Sequence, residues 1–379
     1  MSVDEGGPEA AASAGDREYR DGIVGPAPRG RGAGLNPGNR FESVRLHVLG
    51  EHLDEIAREA PDGAQVRTRI LRDDARTIIN KVNSPDIHFN WTINPYRGCE
   101  HGCIYCYARP THENLGYSCG VDFETTILAK TDAPELLRRE LAKPSWNAEP
   151  IIMSGVTDPY QPIERELRIT RGCLEVMASC FQPVSFVTKN RLILRDLDLL
   201  VELARHDAVT VAISVTTLDH ALAQRMEPRA SSPRDRLRTV RALRDAGVPV
   251  VVMVAPIIPG LTDRETPRIL EAAADHGAQA ASWVLLRLPY QIKDLFLEWL
   301  ARVAPERAPK ILTLIRDARG GALYDPAWNT RMRGEGAIAE TIRATFTTFA
   351  KRYGLDGPIP SPSGAHFRRP SLDGQMGLF

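Results

Sequence analysis

A chain of 379 residues, 43% of them hydrophobic, is long enough for one barrel-sized domain with extensions or for two smaller ones. Lys plus Arg and Asp plus Glu balance at 48 each, which excludes a whole-molecule positive field and leaves any nucleic-acid binding to a local surface. Six cysteines are too few for a secreted disulfide scaffold, no apolar run reaches the roughly 18 residues of a membrane span, and no signal-peptide pattern opens the sequence. A reducing cytoplasm is expected, with no membrane.

In chain order, residues 1–40 are dense in Gly, Ala and Pro and are expected to be disordered. Residues 41–84 are expected to form an extension packed on a barrel, and residues 85–305 the barrel itself. Short apolar, β-branched runs recur there: "IHFNWTI", "PIIMSG", "PVSFVTK", "VTVAISV", "VPVVVMVAP" and "ASWVLLRLP". Between them stand segments with helical spacing, such as "APELLRRELA", "RITRGCLEVMASCF", "LRDLDLLVELARH", "SPRDRLRTVRALRDAG" and "TPRILEAAADHGA". Continuously apolar strands separated by helices predict a parallel sheet covered on both faces. The fold class is α/β: a (βα)6 partial TIM barrel, or else an open doubly wound sheet. Residues 306–353 read as a C-terminal helical extension and 354–379 as a flexible tail.

In either architecture chemistry belongs at the carboxyl ends of the strands. The unusual residues fall there: a cysteine cluster after the first strand, "SGVTDPYQPIE" after the second, "TKN" after the third and "SVTT" at the fourth. The cluster reads R-G-C-E-H-G-C-I-Y-C-Y, with Cys99, Cys103 and Cys106 spaced Cys-x3-Cys-x2-Cys. A disulfide would strand one thiol. Tetrahedral zinc needs a fourth ligand, for which His101 or Cys119 is at hand. A [4Fe–4S] cluster normally takes four cysteines, so three leave one iron with an open position. Cys173 and Cys180 lie seven apart on an apolar helix face and read as structural thiols.

Cys-x3-Cys-x2-Cys after the first strand of such a barrel resembles the radical S-adenosylmethionine (SAM) superfamily. "NPYRGCEHGCIYCYARP", "TDPYQPIE", "TKN" and "APIIPGLTD" resemble its bacterial branch related to spore photoproduct lyase, over roughly residues 70–350. The resemblance implies a [4Fe–4S] cluster on the three cysteines, SAM on the open iron, and reductive cleavage to a 5′-deoxyadenosyl radical. An electron-donating flavodoxin or ferredoxin is implied as well. By the same resemblance Tyr105 lies beside the adenine, Lys189 meets the SAM carboxylate, and Ser214 contacts the ribose. A lysine ending a buried strand is in any case costly unless paired.

Where most of the superfamily carries Gly-Gly-Glu for the methionyl amino group, this chain has "SGVTD". Thr157 and Asp158, with Ser154, are the expected substitutes, against a turn-forming role for Asp158 before Pro159. Glu227 and Arg229 are candidates to bracket cofactor or substrate, against a solvated ion pair in each case, and Arg229 is carried forward as a cofactor contact. Arg287 interrupts "VLLRLP", which means anion recognition or a buried ion pair. Tyr107 and Cys119 are the candidate catalytic side chains, Cys119 as a hydrogen-atom donor, with core packing or exposure as its alternative.

The related lyase takes its hydrogen donor from a cysteine just after strand two, and no cysteine occurs here between Cys119 and Cys173. A different lesion or substrate is therefore expected. The chain ends "QMGLF": Gln375, Leu378 and Phe379 match the Gln-x-x-Leu-Phe pattern by which bacterial replication and repair proteins dock on the sliding clamp. The alternative is that this apolar end folds back on the barrel. The two arginines of the preceding "HFRRP" would favour nearby DNA. The expected function is SAM-radical chemistry on nucleic acid, in DNA repair. The rivals are modification of RNA, a peptide or a metabolite, and a non-catalytic metal-binding adaptor.

Overall fold

The computed structural model describes residues 19–21, 27–41, 47–49, 65–87 and 89–372. The six apolar runs become β1 (Trp91–Ile93), β2 (Ile151–Met153), β3 (Val184–Thr188), β4 (Val209–Ser214), β5 (Val250–Ile257) and β6 (Ala281–Leu285). They pair in parallel in the order β6-β5-β4-β3-β2-β1, and Asn80–Lys81 adds antiparallel to β1. A doubly wound sheet reverses its order part-way, whereas a strictly sequential order belongs to a (βα)6 partial barrel.

The returns are α1 (Ala133–Leu141), α2 (Ile169–Cys180), α3 (Leu197–Ala204), α4 (Pro233–Asp245) and α5 (Thr266–Asp275). The start of α4 shows why these segments fold as they do: the Ser232 hydroxyl accepts from the Asp235 backbone N–H, and Pro233 opens the first turn. Its apolar stripe, Leu237, Val240 and Leu243, is buried against the sheet. Side chains such as Ile93, Met153, Phe186, Val211 and Val252 fill the space between sheet and helices. Each contributes roughly 1.5–3 kcal/mol by leaving water. Cys173 and Cys180 belong to this core, as their spacing on α2 predicts.

Beyond β6 the chain continues through α6 (Ile292–Val303), α7 (Ala308–Asp317) and α8 (Gly336–Arg352). Phe296, Trp299 and Leu300 of α6 form a second apolar cluster with Ile104, Met226 and Leu288, directly beneath the cysteine loop. Among the described residues no helix is long and apolar enough to cross a membrane.

Two expectations need correction. Residues 27–40, placed by composition in a disordered segment, are packed against the cysteine loop and its surroundings. The backbone N–H groups of Gly32 and Ala33 each donate to the Glu124 carboxylate at 2.9 Å, and Ala33 is fully buried. The glycines there serve close approach rather than flexibility, since a Cβ on Gly32 would lie 1.9 Å from the Gly102 carbonyl oxygen. Likewise, much of the segment expected to be a flexible tail is held. Leu355 is buried, the Thr210 hydroxyl donates to the Pro360 carbonyl at 2.8 Å, and the Arg368 N–H donates to the Cys180 carbonyl at 2.8 Å. Arg369 donates to backbone carbonyls of Leu141 and Trp146, so both arginines of "HFRRP" take part in packing. This strap crosses the end of the barrel opposite the cysteine loop. Gln375, Leu378 and Phe379 lie outside the described residues.

Candidate active site

The loop after β1 carries the cysteines, and its backbone is held from several sides. Gly98 adopts φ of +80°, and a Cβ there would come within 3.0 Å of backbone carbonyls on the next helix and strand. The Cys99 N–H donates to the Phe123 carbonyl at 2.9 Å, the Ile104 N–H to Met226 at 3.0 Å, and the Cys106 N–H to Cys103 at 3.2 Å. Arg109 donates from Nε to the Cys103 carbonyl at 3.0 Å and pairs with Glu124 at 2.5 Å, both side chains being fully buried. Glu124 is thus the node that joins the cysteine loop to residues 31–33, where Arg31 also donates to its backbone carbonyl.

The three thiols are mutually close enough to influence one another. Burial pushes the Cys106 thiol up to about 11, and the neighbouring Cys99 adds to the effect; burial likewise pushes Cys103 up. Cys99 and Cys103 are buried and Cys106 is partly accessible. Among the described residues no three His, Cys, Asp or Glu side chains close to the spacing of a single metal ion. The thiolates of a cubane bind separate irons on its corners and span a wider triangle.

His101 and Asp158 sit behind the cysteines. The His101 ring lies 3.2 Å from Asp158 through Nδ1 and 3.1 Å from the Asn190 amide through Nε2. Burial works against its charge, but Asp158 and Cys99 outweigh it and carry the ring up to about 10. Asp158 also accepts from the Tyr160 N–H at 2.9 Å, the Thr188 hydroxyl at 2.7 Å and the Lys189 N–H at 2.9 Å. A carboxylate has about four lone-pair sites, and here all are taken. Asp158 therefore ties the loop to the ends of β2 and β3, and the geometry gives it no free oxygen for the SAM amino group.

Thr157 is similar: its buried hydroxyl donates to the Gly98 carbonyl at 2.7 Å, with Gln161 alongside. Ser154, by contrast, has φ of 146°, a conformation L side chains rarely adopt, at the end of β2. It is only partly buried.

Lys189 reaches over the open end of β4. Its ammonium donates to the Ser214 hydroxyl at 2.6 Å, stands 3.8 Å from Glu227, and lies 5.8 Å from the Tyr105 ring centroid. Burial lowers it to about 8. The solvated ion pair expected for Glu227 as the alternative to a cofactor or substrate contact does not form. Glu227 is buried instead, accepting from Thr216 at 2.7 Å and from Tyr105 and Arg236. Arg229, the expected cofactor contact, pairs with Glu100 at 2.6 Å and donates its backbone N–H to His101, so it braces the loop.

Tyr107 is half exposed, with its hydroxyl on the Gly155 carbonyl at 2.9 Å and the Arg287 guanidinium 5.3 Å from its ring centroid. Cys119 is fully buried in the apolar cluster beneath the loop with Ile104 and Leu288, which takes the core-packing alternative and leaves its thiol no open path to a substrate. The bracing residues Glu124, Arg109, Gln161 and Glu100 were not anticipated. Arg109, three residues past the last cysteine, and Glu100 and Gln161, inside the quoted motifs, were the signals available.

Three neighbouring thiols, a lysine held by the Ser214 hydroxyl beside a shared carboxylate, and an aromatic ring gather at the carboxyl ends of the parallel strands, side chains suited to an iron–sulfur centre and a zwitterionic cofactor. The chain belongs to the radical SAM superfamily, whose family model matches residues 93–273, and its cofactors are a [4Fe–4S] cluster and SAM. It is 37% identical over 261 residues to an uncharacterised protein of Mycobacterium tuberculosis (strain ATCC 25618 / H37Rv), covering 68% of this chain and 76% of that one. A radical SAM Nalpha-GlyT isomerase of Pseudomonas phage M6 is 26% identical, over 60% of this chain and 46% of the isomerase. Among solved structures, a variant of spore photoproduct lyase aligns with a TM-score of 0.54 at 17% identity, over 75% of this chain and 79% of the other. The lyase complexed with dinucleoside spore photoproduct aligns at 0.50 and 16% identity, with the same coverage. These likenesses show the shared fold.

The residues fit the cofactors. Cys99, Cys103 and Cys106 would hold the cluster. Lys189, whose nearest carboxylate among the described residues is Glu227, shared with Arg236, can accept a ligand carboxylate; Ser214 and Tyr105 flank it.

Proposed function

We propose that the protein is a radical SAM enzyme acting on nucleic acid, in a lyase- or isomerase-like rearrangement related to DNA repair. When bound, the cluster and SAM supply a 5′-deoxyadenosyl radical. The chain's own part is to hold the three thiols on a braced loop, to place Lys189 for the carboxylate of SAM, and to keep water from the pocket with the apolar cluster of α6. The observation that carries the reading is the meeting of Cys99, Cys103 and Cys106 with Lys189 at one end of the barrel. The nucleic-acid part is supported by the dinucleoside spore photoproduct bound to the similarly folded lyase. No cysteine occurs between Cys119 and Cys173, the stretch in which the resemblance places the lyase's hydrogen donor, so a different hydrogen-atom path is part of the proposal.

The test is anaerobic reconstitution with iron and sulfide, followed by reduction and SAM. Intact protein should turn over SAM to 5′-deoxyadenosine, and Cys106→Ala should lose the cluster absorbance and the product together. Retention of one zinc with no deoxyadenosine formed would sink the proposal and favour the metal-binding adaptor. Adding ultraviolet-damaged DNA or cellular RNA should raise product formation with one of them. Equal rates with and without both would remove nucleic acid from the reading. A flavodoxin or ferredoxin is the proposed electron donor.

A further inference from the structure

The connections that follow β2 and β3 enclose a cleft of about 340 Å³, lined by Arg165, Asn190, Arg191, Leu192, Leu194 and Arg195. Three arginines line it and, among the described residues, no acid does. Arg195 is held from beneath by the buried Glu164 and Asp196, each at 2.7 Å. Arg191, with 65% of its side chain exposed, has Asp235 for a neighbour at 4.0 Å. Arg165 is exposed, and among the described residues no carboxylate pairs with it. In a chain whose charges cancel overall, this is a local positive surface with aliphatic side chains between the charges. Arginine set among apolar groups, without lysine or acid, is the composition of a protein interface more than of a solvated face.

What lies behind the cleft narrows the partner. The Asn190 carbonyl oxygen accepts from the Leu192 N–H at 3.0 Å and the Ser231 hydroxyl at 3.2 Å, which turns its amide nitrogen to the His101 ring at 3.1 Å. His101 is 1% exposed and has the Cys99 thiol as a neighbour. Two packed side chains therefore separate a cluster ligand from an open basic cleft. Other flanks of the cysteine loop are covered, by residues 31–33 and by the apolar cluster of α6. None of Tyr105, Lys189 and Ser214 lines the cleft, so a partner seated there leaves the SAM pocket free. No aromatic ring lines it either, and an unstacked base would find no platform. Contacts between electron-transfer proteins are small and steered by charge, which suits this surface.

We propose that this cleft is the docking face for an acidic one-electron donor protein of the flavodoxin or ferredoxin kind, with Arg165 and Arg191 meeting its carboxylates. The proposal rests on the reading of such a protein as the donor. In the docked pair one electron leaves the donor, which is oxidised by one, and the [4Fe–4S] cluster is reduced by one; no bond forms or breaks in this chain.

The test follows the cluster absorbance of the reconstituted full chain by stopped flow. The protein is mixed anaerobically with SAM and with reduced flavodoxin, reduced ferredoxin or photoreduced deazaflavin, a small reductant that needs no docking face. A protein donor should bleach the intact chain faster at low salt than at high salt. Arg165→Glu combined with Arg191→Glu should slow that bleaching about ten-fold at low salt and flatten its salt dependence, while the deazaflavin rate stays that of the intact protein. Arg165→Lys combined with Arg191→Lys should keep most of the rate. If the charge-reversed variant matches the intact protein with both donors, the face is wrong and the donor reading stands. If neither protein reduces a cluster that deazaflavin reduces, the donor reading falls and the face with it. Equal slowing with deazaflavin would place the effect in the cysteine loop and overturn the docking face. Unchanged donor rates, with about ten-fold weaker binding of a fluorescent single-stranded oligodeoxynucleotide, would give the face to nucleic acid instead.

Discussion

Ser154 shows most sharply how a single residue can be set against local stability. Its φ of 146° costs a side-chain residue of order 1–3 kcal/mol. Such strain persists only where the surroundings impose it. Ser154→Gly should therefore raise thermal stability by about 1 kcal/mol after the entropy cost of glycine in the unfolded chain. If its hydroxyl takes over the task that Asp158 has no free oxygen to perform, the same variant should bind SAM more weakly in a calorimetric titration. Unchanged SAM affinity would return Ser154 to a purely structural role. Residue identity marked out the thiols and Lys189 as candidates, because few other roles explain three close cysteines or a lysine ending a strand. It was not legible for Asp158, Thr157 and Arg229: polar residues near a site look alike in sequence, and only the count of donors around each oxygen separates a ligand from a brace.

At the scale of elements, the six strands were readable because parallel strands buried on both faces leave continuous apolar runs. The helices were readable through their 3.6-residue stripes and caps such as Ser232. Irregular connections are harder, since long-range ion pairs fix them. Arg331 is an example: it chelates Asp86, ahead of β1, through Nε and a terminal nitrogen, and reaches Ser84 at 2.6 Å. Nothing local predicts a bond across 245 positions. The Arg331 hydrogen bond holds Asp86 down at about 2. A carboxyl depressed in the folded state stabilises fully above its unfolded pKa of about 3.9, and that stability is lost as pH falls towards 2. Asp86→Asn should thus be less stable than the parent at pH 6 in urea melts. Its stability should also fall less steeply between about pH 4 and pH 2. Parallel curves for the two proteins would show that the pair contributes nothing.

For the whole molecule, the barrel has a working end and a strapped end. The strap of Leu355–Arg369 crosses the N-terminal ends of β4 and β6, so the chain arrives at residue 372 on the side away from the cysteines. A clamp-binding peptide at Gln375, Leu378 and Phe379 would tether the enzyme by its back and leave the mouth of the barrel facing outwards. Deleting residues 375–379 should abolish binding of purified sliding clamp while SAM cleavage by the reconstituted protein is retained. Clamp binding that survives the deletion, or is absent from the intact chain, removes the tether.

The packing of Gly32 against Gly102 also defines the smallest piece of this chain that can work. A shortened protein beginning after residue 33 would take three backbone and side-chain donors away from Glu124 while leaving that carboxylate in the interior against Arg109. The Arg109 pair survives, but each buried acceptor left without its donor costs roughly 1–3 kcal/mol, a large share of what holds most domains together. A glycine-rich lead-in that resembles dispensable linker is therefore a buttress of the cysteine loop, and trimming it would bare the back of that loop to solvent.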